Sequence, residues 1–243
     1  MRKGAIVRLV VIALLAAAAA TAVALFVPWL PPVRSKEAER IDFVFWVVVG
    51  ICIAVFAVVA AVTIYSVMTF RARPDDDADG PPIHGHTGLE ITWTAIPAVL
   101  VTIIAVLSAV ALAENGDLKS NRLQVDVTAR QFAWSFKYPQ YGNFETTELR
   151  LEEGRQVELN LTALDVIHSF WVPEFRQKQD AVPGITTHLP ITPTKVGTDT
   201  LICTELCGLG HALMRAKVIV MRPADFQQWA RAQKQKGAQA SAG

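Results

Sequence analysis

The sequence predicts a membrane-anchored α + β protein. Its N-terminus reads as transmembrane helices, a hairpin plus a signal peptide or extra span, and a Greek-key β-sandwich or barrel follows. Three observations carry that expectation. The first half holds three long runs without Lys, Arg, Asp or Glu, the pattern beyond Gly116 turns to strict alternation, and one polar loop gathers cysteine, histidine and methionine. Of 243 residues, 52% are hydrophobic and only 19% charged, which excludes a disordered chain and argues against an ordinary soluble domain. A net charge of +1 gives no global field for nucleic acid, so none is expected as a partner. Three unevenly spaced cysteines are too few for a disulfide framework.

The uncharged runs are residues 9–33, 43–70 and 91–113. Each exceeds the roughly 20 residues that cross about 30 Å of hydrocarbon. Residues 1–33 read as a signal peptide or a first transmembrane span. The basic start Arg2, Lys3 and Arg8, the alanine-rich stretch and Ala22-Val23-Ala24 fit either. Residues 41–113 read as a helical hairpin with an inner loop at 71–90. Pro97 falls within its second arm and is expected to weaken or kink it. Loop charge barely discriminates orientation, with Arg34, Lys36 and Arg40 in one loop and Arg71 and Arg73 in the next. A cytoplasmic start would place 34–42 outside, 71–90 inside and everything after 113 outside.

Residues 116–230 read as a β domain. Leu123, Val125 and Val127 alternate with polar residues, as do Phe132, Trp134, Phe136 and Tyr138, then Val157, Leu159 and Leu161, and finally Val218 and Val220. Period-2 runs between Gly, Pro and Asn are half-buried strands. Residues 225–234 predict a short helix with Phe226 and Trp229 on one face. Residues 231–243 are expected to be a disordered tail.

The chemistry concentrates in Cys203-Thr-Glu205-Leu-Cys207-Gly-Leu-Gly-His211-Ala-Leu-Met214, with His168 upstream. Thiolate, imidazole and thioether together suit copper better than a hard cation, and structural zinc seldom recruits Met. One Cys, two His and a Met would make a mononuclear copper site. A second Cys allows two thiolates to bridge two ions, leaving one His for each, with Met214 and a backbone carbonyl as weak outer ligands. A redox dithiol, a zinc site, or buried cysteines beside unrelated histidines are the plainer alternatives. His84 and His86 read as loop residues, His188 as structural, and Cys52 as a small apolar residue.

From about residue 43 to 229 the chain resembles subunit II of cytochrome c oxidase. The resemblance rests on Asp165-Val-Ile-His168-Ser-Phe-Trp-Val-Pro, on Asp180-Ala-Val-Pro-Gly and on Cys-x3-Cys-x3-His-x2-Met. It implies a cupredoxin-like domain on the outer side of the membrane, carrying the binuclear copper centre CuA. Such a centre takes electrons from cytochrome c and relays them to haem in subunit I, where oxygen is reduced to water with proton translocation. Cys203 and Cys207 would be the bridging thiolates, His168 and His211 the imidazole ligands and Met214 the thioether. Glu205 would ligate copper through its carbonyl, and its carboxylate would hold magnesium or manganese shared with subunit I.

The resemblance also implies subunit I, subunit III and membrane lipids as partners, with electrons arriving from cytochrome c or a cytochrome c domain of a neighbouring respiratory complex. Glu90, in Glu90-Ile-Thr-Trp-Thr-Ala-Ile-Pro97, corresponds to a proton-channel entrance. Phe132 and Trp134 fall in the electron-accepting aromatic segment, where Phe132 replaces the usual tryptophan and Ala133 the intervening aromatic. Asp165 is a candidate for donor docking, with Glu145, Glu148, Glu152 and Glu153 as further acidic candidates. Without a Cys-x2-Cys-His motif, the donor is expected to be a separate protein. The basic, alanine-rich start favours the plasma membrane of a bacterium. Rival functions are the copper subunit of a nitric oxide reductase and a membrane-tethered copper carrier. A quinol oxidase subunit would lack these ligands, and a thiol oxidoreductase would usually show Cys-x2-Cys.

Overall fold

The computed structural model describes residues 3–71, 80 and 82–240, so Arg2, Arg73 and residues 241–243 lie outside the described residues. Two compact units divide the chain. One takes the residues up to Leu30 with Phe43–Ala109, and the other takes Pro31–Asp42 with everything from Val110 onward.

The first unit is helical. Helix α1 spans Lys3–Phe26, α2 Lys36–Thr69 and α3 Thr87–Asn115, and all three are long and apolar enough to cross a membrane. Their Val, Leu and Ile side chains are largely exposed, as surfaces that face lipid or another apolar chain require. The first uncharged run is helical only to Phe26, because Pro28, Pro31 and Pro32 remove the donors a helix needs. Helix α3 continues through Pro97. Its start is capped by His86, whose Nδ1 accepts the Leu89 N–H at 3.2 Å, while Glu90 Oε1 accepts the His86 N–H at 3.3 Å.

The second unit is a sandwich of two five-stranded sheets. Its strands are β1 Leu123–Arg130, β2 Ala133–Tyr138, β3 Phe144–Thr146, β4 Leu149–Glu152 and β5 Val157–Ala163. Then come β6 His168–Trp171, β7 Lys178–Ala181, β8 Thr187–Ile191, β9 Gly197–Cys203 and β10 Arg215–Met221. One sheet has the order β3-β2-β1-β5-β8, the other β4-β10-β9-β6-β7. The alternating residues of β1, Leu123, Val125, Val127 and Ala129, all point into the core. Phe132 departs from the expected alternation, since it lies in the β1–β2 turn rather than on the sheet face.

Two features of this unit differ from the sequence expectation. Helix α4 runs Pro223–Ala240, past residue 234 and into the segment expected to be a disordered tail. Ala, Gln, Lys and Arg are good helix formers, and only Gly237 interrupts them. Phe226 and Ala230 anchor it, with Trp229 against Tyr138 and Phe144.

The other feature is the segment Pro31–Asp42, which is woven into the sandwich rather than looping freely. Ser35 pairs with Pro193, Arg34 N–H donates to the Glu174 carbonyl (3.1 Å), and Thr194 N–H donates to the Arg34 carbonyl (2.9 Å). Glu37 Oε2 accepts the Thr192 N–H at 2.8 Å, and Ser35 Oγ caps α2 by accepting the Ala38 N–H at 3.0 Å. Ser35, Glu37 and Ala38 are fully buried. Arg176 grips both oxygens of Asp42, at 2.7 and 3.1 Å.

Candidate metal centre

Three strand ends and one loop assemble the site. His168 opens β6, Cys203 closes β9, and the loop that follows delivers Cys207, His211 and Met214 before β10 begins. The loop folds back because Cys203 N–H bonds the Met214 carbonyl (3.1 Å) and Thr204 N–H bonds the Ser169 carbonyl (3.0 Å). Gly208, at φ +132°, takes a conformation that side chains resist, and a turn then closes through His211 N–H to the Gly208 carbonyl (3.1 Å).

The ligating atoms converge. The Cys203 and Cys207 sulfurs lie 3.9 Å apart, and His168 Nδ1 is 3.9 Å from Cys203 Sγ. On the other side, His211 Nδ1 is 3.5 Å and Met214 Sδ 3.8 Å from Cys207 Sγ. The Glu205 carbonyl oxygen lies 3.3 Å from Cys203 Sγ. Nδ1, Sγ and Sγ of His168, Cys203 and Cys207 form the one cluster of metal-ligating side chains of this type among the described residues. Sulfurs 3.9 Å apart are not a disulfide, whose bond is about 2.05 Å. They are close enough for both thiolates to hold the same metal ion. The donor set of two thiols, two imidazoles, a thioether and a carbonyl is soft and therefore fits copper.

Burial and the neighbouring Cys203 push the Cys207 thiol up to about 11, so metal binding must displace its proton. Asp165 orients His168: its Oδ1 lies 2.8 Å from Nε2, which leaves Nδ1 facing the sulfurs. Burial pushes the Asp165 carboxyl up, but bonds from Gln131 N–H, His168 and Val166 N–H outweigh it and hold the group near 2. Asp165, the docking candidate, stays exposed while both of its oxygens accept hydrogen bonds within the site.

The other sequence candidates separate clearly. Trp134 is buried, edge-on to His168 at 6.2 Å and to Phe170 at 5.9 Å. Phe132 is 39% exposed and lies over the ligand loop, where a Cβ on Gly210 would come within 2.5 Å of its ring. Glu148 is paired with Arg150 and Lys217, and Glu152 with Arg155, so these acids are compensated locally. His188 bonds Asn160 and Glu158 away from the site. Gln131 is the residue that sequence reasoning passed over. Its side chain donates to the Cys207 carbonyl.

Known proteins resemble both halves. A family model described as the transmembrane domain of cytochrome c oxidase subunit II matches residues 20–110, and one described as the periplasmic domain matches residues 146–221. Cytochrome c oxidase subunit 2 of Thermostichus vulcanus is 35% identical, over 83% of this chain and 77% of that protein. The Synechocystis protein of that name is 34% identical, over 82% and 74%. The solved periplasmic domain of subunit II of cytochrome oxidase from Bradyrhizobium japonicum covers 49% of this chain and 97% of its own, at 30% identity and a TM-score of 0.47.

Proposed function

The chain belongs to the cytochrome c oxidase subunit II family, and from that premise we propose that it is the electron-relay subunit of a respiratory oxidase. It accepts electrons from cytochrome c, or from a cytochrome c domain of a neighbouring complex, and passes them to haem in subunit I for oxygen reduction coupled to proton translocation. The observation that carries this reading is the pair of sulfurs 3.9 Å apart, flanked by one imidazole on each side. Cys203 and Cys207 would hold the metal with their thiolates, His168 and His211 with their imidazoles, and Met214 and the Glu205 carbonyl would be the weak outer ligands. When bound, a binuclear copper pair supplies one-electron exchange spread over many bonds. The protein's part is to hold these atoms on rigid strand ends, to keep His168 turned inward through Asp165, and to exclude water with Trp134 and Phe170.

Phe132 is the electron entrance in this reading, because it is partly exposed directly above the ligand loop. Leu206, Leu209 and Leu213 belong to the same loop and form a largely exposed apolar rim. The exposed Glu205 carboxylate is free to share magnesium or manganese with subunit I. Glu90, on the first turns of α3, serves as the proton-channel entrance. The fold of Pro31–Asp42 into the β unit supports placing that segment and the β domain together on the outer side of a bacterial plasma membrane. Helices α2 and α3 then cross inward and back, and Glu90 lies on the inner side.

The test is a visible and EPR spectrum, with metal analysis, of the detergent-solubilised full chain loaded with copper. Two coppers per chain sharing one unpaired electron, seen as a multi-line hyperfine pattern, are expected. One copper with a simple four-line pattern, or zinc alone under copper-replete conditions, overturns the relay and favours a copper carrier. For the proton role, Glu90→Gln in the assembled oxidase slows turnover and leaves the copper spectrum intact. Unchanged turnover refutes it.

A further inference from the structure

We propose that Gln131 is a positioning residue that locks the two ligand-bearing segments to each other. The inference rests on the copper reading above and extends it to a side chain that touches no ligand atom. Gln131 belongs to the β1–β2 turn, which contributes no ligand. Its amide Nε2 donates to the Cys207 carbonyl at 2.5 Å, and its backbone N–H donates to Asp165 Oδ2 at 2.7 Å. Asp165 Oδ1 in turn holds His168 Nε2 at 2.8 Å. One residue therefore closes a chain of hydrogen bonds from the His168 ring to the Cys207 peptide.

The Cys207 end of that chain is the end that needs holding. Its carbonyl precedes Gly208, which sits at φ +132° and has no Cβ to restrain the local backbone. The orientation of this peptide directs the Cys207 side chain toward His211 Nδ1 and Met214 Sδ. Space for the amide is built in as well, because a Cβ on Gly208 would approach Gln131 Nε2 to 2.8 Å. Beside the Gln131 chain, the two segments are joined among the described residues by strand pairing at Phe170 and Trp171 with Cys203 and Ile202, by Thr204 N–H to the Ser169 carbonyl, by the His168–Cys203 contact at 3.9 Å and by the apolar core. None of those bonds reaches beyond Thr204 into the Cys207 turn.

Partners of this kind typically change metal affinity by about ten- to a hundredfold when removed. The decisive variant is Gln131→Leu, which keeps the bulk and the backbone N–H but loses the amide donor. Gln131→Glu preserves the shape, also lacks the donor, and carries the test if the leucine variant does not fold. In the copper-loaded, solubilised full chain we expect wild-type copper content and a melting temperature within a few degrees. We also expect copper loss to a chelator at least tenfold faster, with an altered hyperfine pattern and a shifted reduction potential. Variants with wild-type spectrum, potential and chelator rate overturn the proposal while leaving the copper site standing. A wild-type chain that binds no copper overturns both.

Discussion

The sandwich has two ends, and they are held together by different physics. Strand β9 connects them, with Gly197 at one end and Cys203 at the other, about 20 Å away at about 3.3 Å per residue. At the Gly197 end the strap Pro31–Asp42 is fixed by directed hydrogen bonds and by two charge pairs, Arg34 with Asp199 and Arg176 with Asp42. At the Cys203 end, soft sulfur and nitrogen atoms meet at 3.5–3.9 Å, too far for strong hydrogen bonds. The first end stabilises the fold and the second organises chemistry. Damage to one should leave the other readable.

The largest effect expected is at the ligand end. Cys203→Ser removes one of the two thiolates proposed to hold copper and should abolish the expected binuclear signal outright. Denaturant unfolding of the solubilised apo chain should stay within about 1 kcal/mol of wild type, the range of small-volume changes. An apo chain that collapses would show that Cys203 also carries the core, and the separation of the two ends would fail.

The converse experiment cuts the strap. Arg176→Met leaves Asp42 without its partner at a largely buried pair, where the loss of one member costs about 3–5 kcal/mol. Unfolding followed by tryptophan fluorescence should show that loss, while the copper spectrum of the folded chain stays unchanged. A shifted spectrum would reveal coupling along β9. By the same logic, a fragment beginning at residue 116 lacks the strap and should be markedly less stable than the full chain.

A third test reaches the seam between the sheets. Tyr138, on β2, donates its phenol O–H to the Arg150 carbonyl on β4 (3.0 Å) and accepts the Arg150 N–H (2.8 Å). Burial raises its phenol far above the ordinary value near 10, so the folded chain keeps a proton that the unfolded chain releases. The stability this group contributes is complete below about pH 10. Above that it falls by up to about 1.4 kcal/mol per pH unit until the folded group itself ionises. Tyr138→Phe should cost about 2 kcal/mol at neutral pH and flatten the alkaline slope of the unfolding curve. An unchanged slope would mean that the phenol is not held neutral by burial.

The two ends also differed in how far the sequence revealed them. The candidate ligand cluster was readable because Cys203, Cys207, His211 and Met214 crowd into twelve residues, a set of soft donors that suits copper better than a hard cation. The long apolar helices and β1 were readable for the same local reason, since periodicity needs only neighbours in the chain. The strap was not, because its partners Glu174, Thr192, Pro193 and Arg176 lie more than 130 residues away. A short polar stretch between apolar runs carries no local sign of such pairing. The roles of Asp165 and Gln131 were hidden likewise: Asp165 stood out only as a docking candidate, Gln131 not at all, and only the fold sets them on His168 and Cys207. Phe132 misled in the opposite direction, since its period-2 spacing with Trp134 suggested a sheet face while the strand begins only at Ala133.

Phe132 provides the mildest and most selective test of the ligand end. Its ring lies so close to Gly210 that an added Cβ would be 2.5 Å from Cδ2 and 2.6 Å from Cγ. Gly210→Ala must therefore push the ring aside. Because Phe132 is partly exposed it can swing toward solvent, so the cost should sit near the low end of overpacking, about 1 kcal/mol. The neighbouring ligand His211 keeps its backbone bond to Gly208, which lies on the far side of the substituted residue. Copper content and hyperfine pattern should thus persist. If electrons arrive through Phe132, the rate of reduction by cytochrome c should drop while reduction by a small chemical reductant does not. Equal rates from both reductants would move the electron entrance away from Phe132, to the half-buried His211 or the leucine rim beside it.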